Sequence, residues 1–177
     1  MHGHIVLANS KKGFIANAIK WFTSSSFSHS LITIPDILGV PMGIEAAEQG
    51  VDAVRFDKNY INDPSQGYEV WRINIPQDVK DRAIVSLLND LEIGYGFFQY
   101  PWFIWRKLNL FFGKDIKGQD NWIVSRFICS QLCVAYLRAC GLERVLVGYG
   151  NGSVAPQDLQ DIFKNNPKIF ELIETKL

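Results

Sequence analysis

Apolar and polar residues follow two different periods along this chain, one typical of strands and the other typical of helices. Short alternating or continuous apolar runs predict strands over residues 5–8, 28–34, 43–47, 52–56, 68–75 and 168–173. Apolar residues at helical spacing predict helices over residues 12–22, 76–91, 129–140 and 156–164. Because no internal repeat or linker interrupts this order, we expect one α+β domain over residues 1–177.

Turn-forming residues mark the connections between these elements. Pro35 and Gly39 predict a hairpin loop over residues 35–42, and a second loop is predicted over residues 59–67. The helix over residues 129–140 is apolar on most of its faces, so we expect it to be buried at the centre of the domain. Gly141 follows this helix directly and is predicted to be its C-terminal cap.

The composition is that of a well-packed globular protein, and it excludes one class of partner. Of the 177 residues, 47% are hydrophobic, and 18 basic residues balance 18 acidic ones. A net charge of zero provides no basic surface for a polyanion, so no nucleic-acid partner is expected. The three cysteines do not form a disulfide framework, so we expect free thiols in a reducing compartment or buried ones elsewhere.

Residues 94–113 are rich in aromatic side chains. A membrane-spanning helix needs about 20 mostly uncharged residues, and Pro101, Arg106 and Lys107 interrupt this stretch. We therefore expect the segment to pack in the fold or to form a wall of a substrate cleft, with interfacial contact to lipid as the minor alternative. The chain does not begin with the basic and apolar regions of a secretory signal, so the protein is expected to be cytoplasmic as synthesised.

The most definite chemistry comes from one cysteine and one histidine that are distant in sequence. Cys129 stands at the predicted start of a helix, where unpaired N–H groups and a partial positive charge favour a thiolate over a thiol. His29 lies in a predicted strand between two serines and is suited to take up the thiol proton. A lone cysteine in a helix is more often a core residue, so it is the combination with His29 that favours catalysis.

A third side chain should orient the imidazole through its other nitrogen. Glu45 and Glu48 are the candidates, and at most one can reach His29, because residues three apart on a regular strand point to opposite faces. If the strands over residues 28–34 and 43–47 pair in antiparallel fashion, a residue opposite His29 has its Cβ about 5 Å from that of the histidine. The spacing leaves the choice open, and both glutamates could equally be solvated.

Three stretches carry a resemblance to a known group of enzymes: Phe-Ser-His-Ser-Leu-Ile around His29, Gly-Ile-Glu-Ala-Ala around Glu45 and Phe-Ile-Cys-Ser-Gln-Leu around Cys129. In this order they resemble the circularly permuted papain-like cysteine amidases and peptidases. These are the YiiX-type relatives of the NlpC peptidoglycan hydrolases, with the lecithin–retinol acyltransferases more distant. The chain departs from the family pattern at His4, where the family usually has Asp, and at Gln131, where it often has Glu.

The resemblance implies a permuted papain-like fold in which a small antiparallel sheet packs against a central helix that carries the nucleophile. It also implies catalytic roles: Cys129 as the nucleophile, His29 as the proton shuttle, and Glu45 rather than Glu48 as the group that fixes the ring. The implied activity is hydrolysis of an amide bond, with bacterial cell-wall peptide as the substrate class. A phage-encoded protein of this kind would reach the wall in the virion or through lysis.

Two other functions stay open on the sequence. The same thiol chemistry could act on a lipid ester, as in the acyltransferase branch, and its support is the aromatic segment around Trp102 and Trp105. The domain could also be a non-catalytic binding or structural module, for example in a phage particle. The intact set of Cys129, His29 and Glu45 argues against that third reading.

Other candidate sites are weaker. His2 and His4 look like a metal pair but have no further ligand at the usual spacing, so no metal and no other cofactor is expected. Cys133 follows Cys129 by one helical turn and is expected to lie in the core. Tyr95 is a candidate for the substrate cleft. The glycine-rich residues 148–152 lack the Lys-Ser/Thr ending of a phosphate loop and are predicted to form a turn.

Overall fold

The computed structural model describes residues 2–10, 25–47, 50–88, 94–95, 126–127, 129–149 and 154–176, with the backbone alone at residues 10, 47, 94–95 and 126–127. The strands are β1 (Ile5–Ser10), β2 (His29–Ile37), β3 (Val40–Ala47), β4 (Gly50–Arg55), β5 (Gln66–Ile73), β6 (Gly94–Tyr95), β7 (Arg126–Phe127) and β8 (Phe170–Lys176). The helices are α1 (Gln77–Leu88), α2 (Cys129–Ala139) and α3 (Pro156–Asn165), with a π-helical turn at Asp57–Ile61 and a 3₁₀ turn at Glu143–Leu146.

Six strands form one antiparallel sheet in the order β4-β3-β2-β1-β5-β8. The central strand β1 is apolar along most of its length, and it is buried on both faces. Ile5 and Leu7 point into the main core, whereas Val6 and Ala8 join a smaller cluster on the opposite face. This is why β1 has a continuous apolar run rather than alternation with polar residues. The predicted α+β class is confirmed, and each of the six predicted strands has its counterpart in the sheet.

The main core lies between the sheet and the helices, and α2 is buried within it. Among its buried side chains are Leu132, Cys133 and Leu137, which pack with strand residues of the main core. Gly141 ends the helix with a φ of 73°, a conformation that a residue without Cβ adopts at no steric cost. Its N–H donates to the Arg138 carbonyl at 2.8 Å, while the next N–H reaches the Leu137 carbonyl at 2.9 Å. These two bonds form a Schellman cap, so the predicted capping role is confirmed.

The predicted hairpin loop over residues 35–42 is wrong, because the strands continue through it. β2 runs to Ile37 and β3 begins at Val40, which leaves a two-residue turn of Leu38 and Gly39 with φ values of 52° and 78°. The register shifts between Ile34 and Ile37, so Pro35 lies where the ladder is irregular and its missing N–H is tolerated. The tight turn and this shift together fix the register of β2 against β3, which positions the site described below.

The second face of the sheet is covered by the connection from β4 to β5. The strand predicted to reach Phe56 ends at Arg55, and the chain then enters the π-helical turn. The predicted loop over residues 59–67 is therefore partly helical, and β5 already begins at Gln66. The turn packs the ring of Phe56 against those of Tyr60 and Tyr68, at centroid distances of 5.6 Å and 5.5 Å. These aromatic rings close the smaller core over β1, β2 and β5.

Other predictions differ in their bounds or lie outside the described residues. The final strand is Phe170–Lys176, displaced toward the C-terminus from the predicted 168–173. The helix predicted over residues 12–22 and the aromatic residues 96–113 are not among those described. Within the described part of the chain, no helix has both the length and the apolar character that a membrane crossing requires.

Candidate active site

Cys129 is the first residue of α2, and its side chain is buried at 4% exposure. The helix packs across β2 and β3, which brings its N-terminus to the beginning of β2. The next residue helps to hold that end in place, because Ser130 Oγ donates to the Val154 carbonyl at 2.6 Å, just ahead of α3. The thiol therefore lies at a fixed helix start, where the backbone N–H groups favour a negative charge.

His29 is the first residue of β2, and its imidazole lies between the thiol and a carboxylate. Its Nε2 is 2.9 Å from Oε2 of Glu45, and its ring also lies close enough to the side chain of Cys129 for the pKa values of the two groups to shift each other. Since Glu45 occupies Nε2, the other ring nitrogen is the one left for the thiol. The structure thus brings Cys129, His29 and Glu45 together. Glu48 lies outside the described residues.

The register of the β2–β3 hairpin explains how Glu45 reaches the ring. Leu31, not His29, is the residue directly opposite Glu45. Glu45 is therefore the diagonal neighbour of His29 on the same face of the sheet, which differs from the directly opposite position considered from the sequence. A diagonal Cβ separation of roughly 7 Å is bridged when both side chains are long enough, as histidine and glutamate are.

The electrostatics of these three groups favour a thiolate next to an imidazolium. Burial alone would raise the pKa of the Cys129 thiol, but the positive charge of His29 and its hydrogen bond outweigh burial and lower it. Burial likewise acts to lower the pKa of His29, yet the charge and hydrogen bond of Cys129, together with Glu45, raise it to about 10. Burial acts to raise the pKa of Glu45, and its contacts with His29 and Tyr60 lower it. These shifts favour a carboxylate and a thiolate on either side of a protonated ring.

Ser30 contributes to the thiol environment from the opposite face of β2. Its hydroxyl is fully buried and has no hydrogen-bond partner among the described residues. It lies close to the sulfur atoms of both Cys129 and Cys133, and the backbone N–H of Ser30 also points at Cys129. The backbone N–H of Ser30 therefore adds to the imidazolium in lowering the pKa of the Cys129 thiol.

Tyr60 is the residue of this site that the sequence did not reveal. It lies in the π-helical turn, and its hydroxyl donates a short hydrogen bond to Oε2 of Glu45. The run Asp57 to Asn62 is polar apart from Tyr60 and Ile61, and an isolated aromatic residue in a predicted loop was the only available signal. No sequence spacing connects it with Glu45, because the contact depends on where the β4–β5 connection crosses the sheet.

The other candidate residues named from the sequence, Cys133, His2 and His4, are not part of the triad. Cys133 is buried as predicted, and burial raises the pKa of its thiol to about 12. His2 pairs with Asp81 at 3.1 Å, while burial and the nearby Lys80 lower the pKa of His4 to about 4. No three His, Cys, Asp or Glu side chains among the described residues are placed to hold a metal ion.

Tyr95 belongs to a short strand that pairs with the segment just before Cys129. Its backbone pairs with that of Phe127, two residues before Cys129, in a short parallel ladder. The Tyr95 side chain is outside what the structure describes, so its role in the cleft stays a prediction. The same holds for residues 150–152 of the predicted glycine-rich turn, while Gly148 has a φ of 89° that suits a turn.

The three cysteines are expected to react with iodoacetamide at very different rates near neutral pH. Exposure alone would favour Cys140, which is 7% exposed against 4% for Cys129. Burial raises the pKa of the Cys140 thiol to about 11, whereas the pKa of Cys129 is lowered. Because the thiolate is the reactive species, Cys129 should be labelled first. A time course read by peptide mass mapping checks this order, and equal labelling of Cys129 and Cys140 would contradict it.

Comparisons with known proteins bear on the fold. No protein-family model matches the sequence, and no curated protein sequence matches it. The structure is similar to that of the metalloprotein yiiX from Escherichia coli O157:H7, which is assigned to DUF1105. The two chains are 15% identical and superpose with a TM-score of 0.59 over 99% of this chain and 97% of the other. At this identity the likeness concerns the fold alone, and it agrees with the YiiX-type architecture expected from the sequence.

Proposed function

We propose that this protein is a cysteine hydrolase that cleaves an amide bond with a Cys129–His29–Glu45 triad. The observation that carries the proposal is the position of the His29 ring, which is hydrogen-bonded to the Glu45 carboxylate on one side and interacts with the Cys129 thiol on the other. A nucleophile, a base in contact with it and a third group that orients the base are the arrangement that activated thiols require.

The proposed reaction proceeds in two acyl-transfer steps. The Cys129 thiolate attacks the amide carbonyl carbon, a C–S bond forms, and the carbonyl electron pair moves onto oxygen. The backbone N–H of Cys129, at the start of α2, is suited to stabilise that oxyanion. When the C–N bond breaks, the His29 imidazolium gives its proton to the leaving amine. Neutral His29 then takes a proton from water, whose oxygen attacks the thioester and releases the acid and the thiolate.

Glu45 keeps the ring of His29 in the orientation that this proton transfer needs. Its Oε2 binds Nε2, so the ring can neither rotate away from the thiol nor present the wrong nitrogen. The negative charge also stabilises the imidazolium that exists between turnovers. Glu45 is therefore proposed to act on the reaction through His29, without contact to the substrate.

The substrate class rests on the resemblance described above. The fold shared with yiiX supports a relation to the permuted papain-like hydrolases, and within that group cell-wall peptide is the proposed substrate. Although yiiX is described as a metalloprotein, the steps proposed for this chain do not require a metal ion. The lipid-ester alternative depends on Trp102 and Trp105, which lie outside the described residues, and no described contact favours it.

Incubation of the protein with purified peptidoglycan tests the proposed substrate class. New free amino groups and shortened stem peptides should appear, and mass spectrometry of the products identifies the cleaved bond. A parallel incubation with lipid esters separates the amidase from the acyltransferase alternative. Release of fatty acid together with intact peptidoglycan would contradict the amidase proposal, as would products that form equally well with Cys129→Ala.

A further inference from the structure

We propose that Tyr60 is a positioning residue of the triad and that Lys176, near the end of the chain, holds Tyr60 in place. This inference rests on the proposed function and extends it from three residues to a connected set of five. The connection runs from the outer strand β8 through the π-helical turn to Glu45, His29 and Cys129.

The first link is the shared oxygen of Glu45. Oε2 accepts hydrogen bonds from both Tyr60 and His29, so the carboxylate is held from two directions. Burial and the adjacent Glu45 charge raise the pKa of Tyr60, so the phenol stays protonated and remains a donor. Asp52, which stands opposite Glu45 on β4, is exposed and provides no donor. A buried carboxylate needs such donors to stay ionised.

The second link is the rigid setting of Tyr60. Its side chain is 6% exposed, and its ring packs against Phe56 within the smaller core. A tyrosine ring fixed in this way cannot follow the carboxylate if Glu45 rotates. The fixed ring of Tyr60 therefore holds the Glu45 carboxylate in position, whereas Glu45 does not determine the position of the ring.

The third link is Lys176 on β8. Its Nζ donates to three carbonyls at and just beyond the end of the π-helical turn, those of Tyr60 at 2.8 Å, Ile61 at 2.9 Å and Asp63 at 2.7 Å. The end of a helical turn leaves carbonyls without partners inside the helix, and a cation there satisfies them. Lys176 therefore fixes the segment of backbone that carries the Tyr60 ring.

Tyr60→Phe tests the proposal through the pH dependence of Cys129 alkylation. With one donor lost, Glu45 should be protonated more easily and held less firmly, which weakens its support of the imidazolium. The midpoint of alkylation should then rise by about one pH unit, the size expected for one hydrogen bond to a charged group. In hydrolysis, kcat should fall about tenfold while KM stays close to the parent value.

Tyr68→Phe is the matched control. Its hydroxyl also donates to a carboxylate, Glu174 at 2.6 Å, and its ring belongs to the same aromatic group, at 5.5 Å from that of Phe56. It has no contact with Glu45 or His29 among the described residues. Tyr68→Phe should leave the alkylation midpoint unchanged even if the melting temperature falls. Equal shifts in the two variants would overturn the role of Tyr60.

Lys176→Met should move the alkylation midpoint in the same direction as Tyr60→Phe but less far. Lys176→Arg, which keeps donors at the end of a long side chain, should restore the parent midpoint. A loss of stability without any change in midpoint would show that Lys176 only supports the fold.

The parent protein separates failure of this inference from failure of the proposed function. If Cys129 in the parent reacts no faster than free cysteine, the proposed function itself fails. If parent Cys129 is activated and Tyr60→Phe has the same midpoint as the parent, the triad stands and the positioning role of Tyr60 is refuted.

Discussion

Replacing Cys129 with alanine is expected to abolish hydrolysis, with a loss in kcat/KM of at least about a thousandfold. The variant lacks the atom that forms the covalent bond to the substrate, and the helix start and the His29–Glu45 pair cannot replace it. The fold should persist, since alanine is small and a strong helix former, and the substitution adds no buried charge. The measurement is the rate of product formation together with a thermal melt of both proteins.

Cys133→Ala is the control for this loss. Cys133 is in the same helix, is fully buried and lies close to the same serine, Ser30. It has no place in the proposed chemistry, and burial raises the pKa of its thiol to about 12. Cys133→Ala should therefore keep most of the activity at a somewhat lower melting temperature. If activity disappeared in Cys133→Ala and persisted in Cys129→Ala, the nucleophile would be Cys133 and the assignment of Cys129 would be wrong.

Replacing His29 with alanine is expected to have the second largest effect, a fall in kcat of about a thousandfold. Two losses combine in this variant. The proton shuttle is absent, and the charge that lowers the pKa of Cys129 is removed, so burial acts against the thiolate and raises that pKa above its ordinary value. Residual activity should therefore increase with pH, whereas the parent should lose activity as pH rises through about 10 and the imidazolium deprotonates.

His2→Ala is the matched control for the histidine. Its imidazole also pairs with a carboxylate, that of Asp81 in α1 at 3.1 Å, and this pair does not include a residue of the triad. Its removal should leave the pH profile as it is in the parent. A His29→Ala protein with the parent's profile would mean that the imidazole takes no part in catalysis.

The sequence predicted the elements well wherever one local rule decided them. The apolar run of β1, the buried face of α2 and the glycine after α2 each reflect burial or backbone conformation within a few residues. The prediction from the sequence was wrong where strand pairing in the folded protein outweighed the preference of a single residue. Pro35 indicated a loop, yet β2 continues through it as an irregularity in the ladder, and the turn is formed by Leu38 and Gly39 instead.

The candidate site shows a similar division. Cys129 and His29 were recognisable from their positions at a helix start and in a strand, but spacing could not choose between Glu45 and Glu48. That choice depends on the β2–β3 register. The turn at Leu38 and Gly39 and the register shift between Ile34 and Ile37 fix it together, whereas a loop over residues 35–42 would have left it undetermined. The contact of Tyr60 with Glu45 could not be predicted. It arises because the connection from β4 to β5 crosses the sheet, and such a connection has no hydrophobic periodicity that would indicate it in the sequence.

The activation of Cys129 by His29 can be measured by titrating the Cys129 thiolate through its ultraviolet absorbance. In a Cys133→Ala/Cys140→Ala background, Cys129 is the one remaining cysteine of the three in the sequence. Thiolate absorbance should appear already below neutral pH in the parent, and His29→Ala should remove it. A thiolate that forms only around pH 8.5, as in an unperturbed cysteine, and forms equally without His29, would contradict this activation.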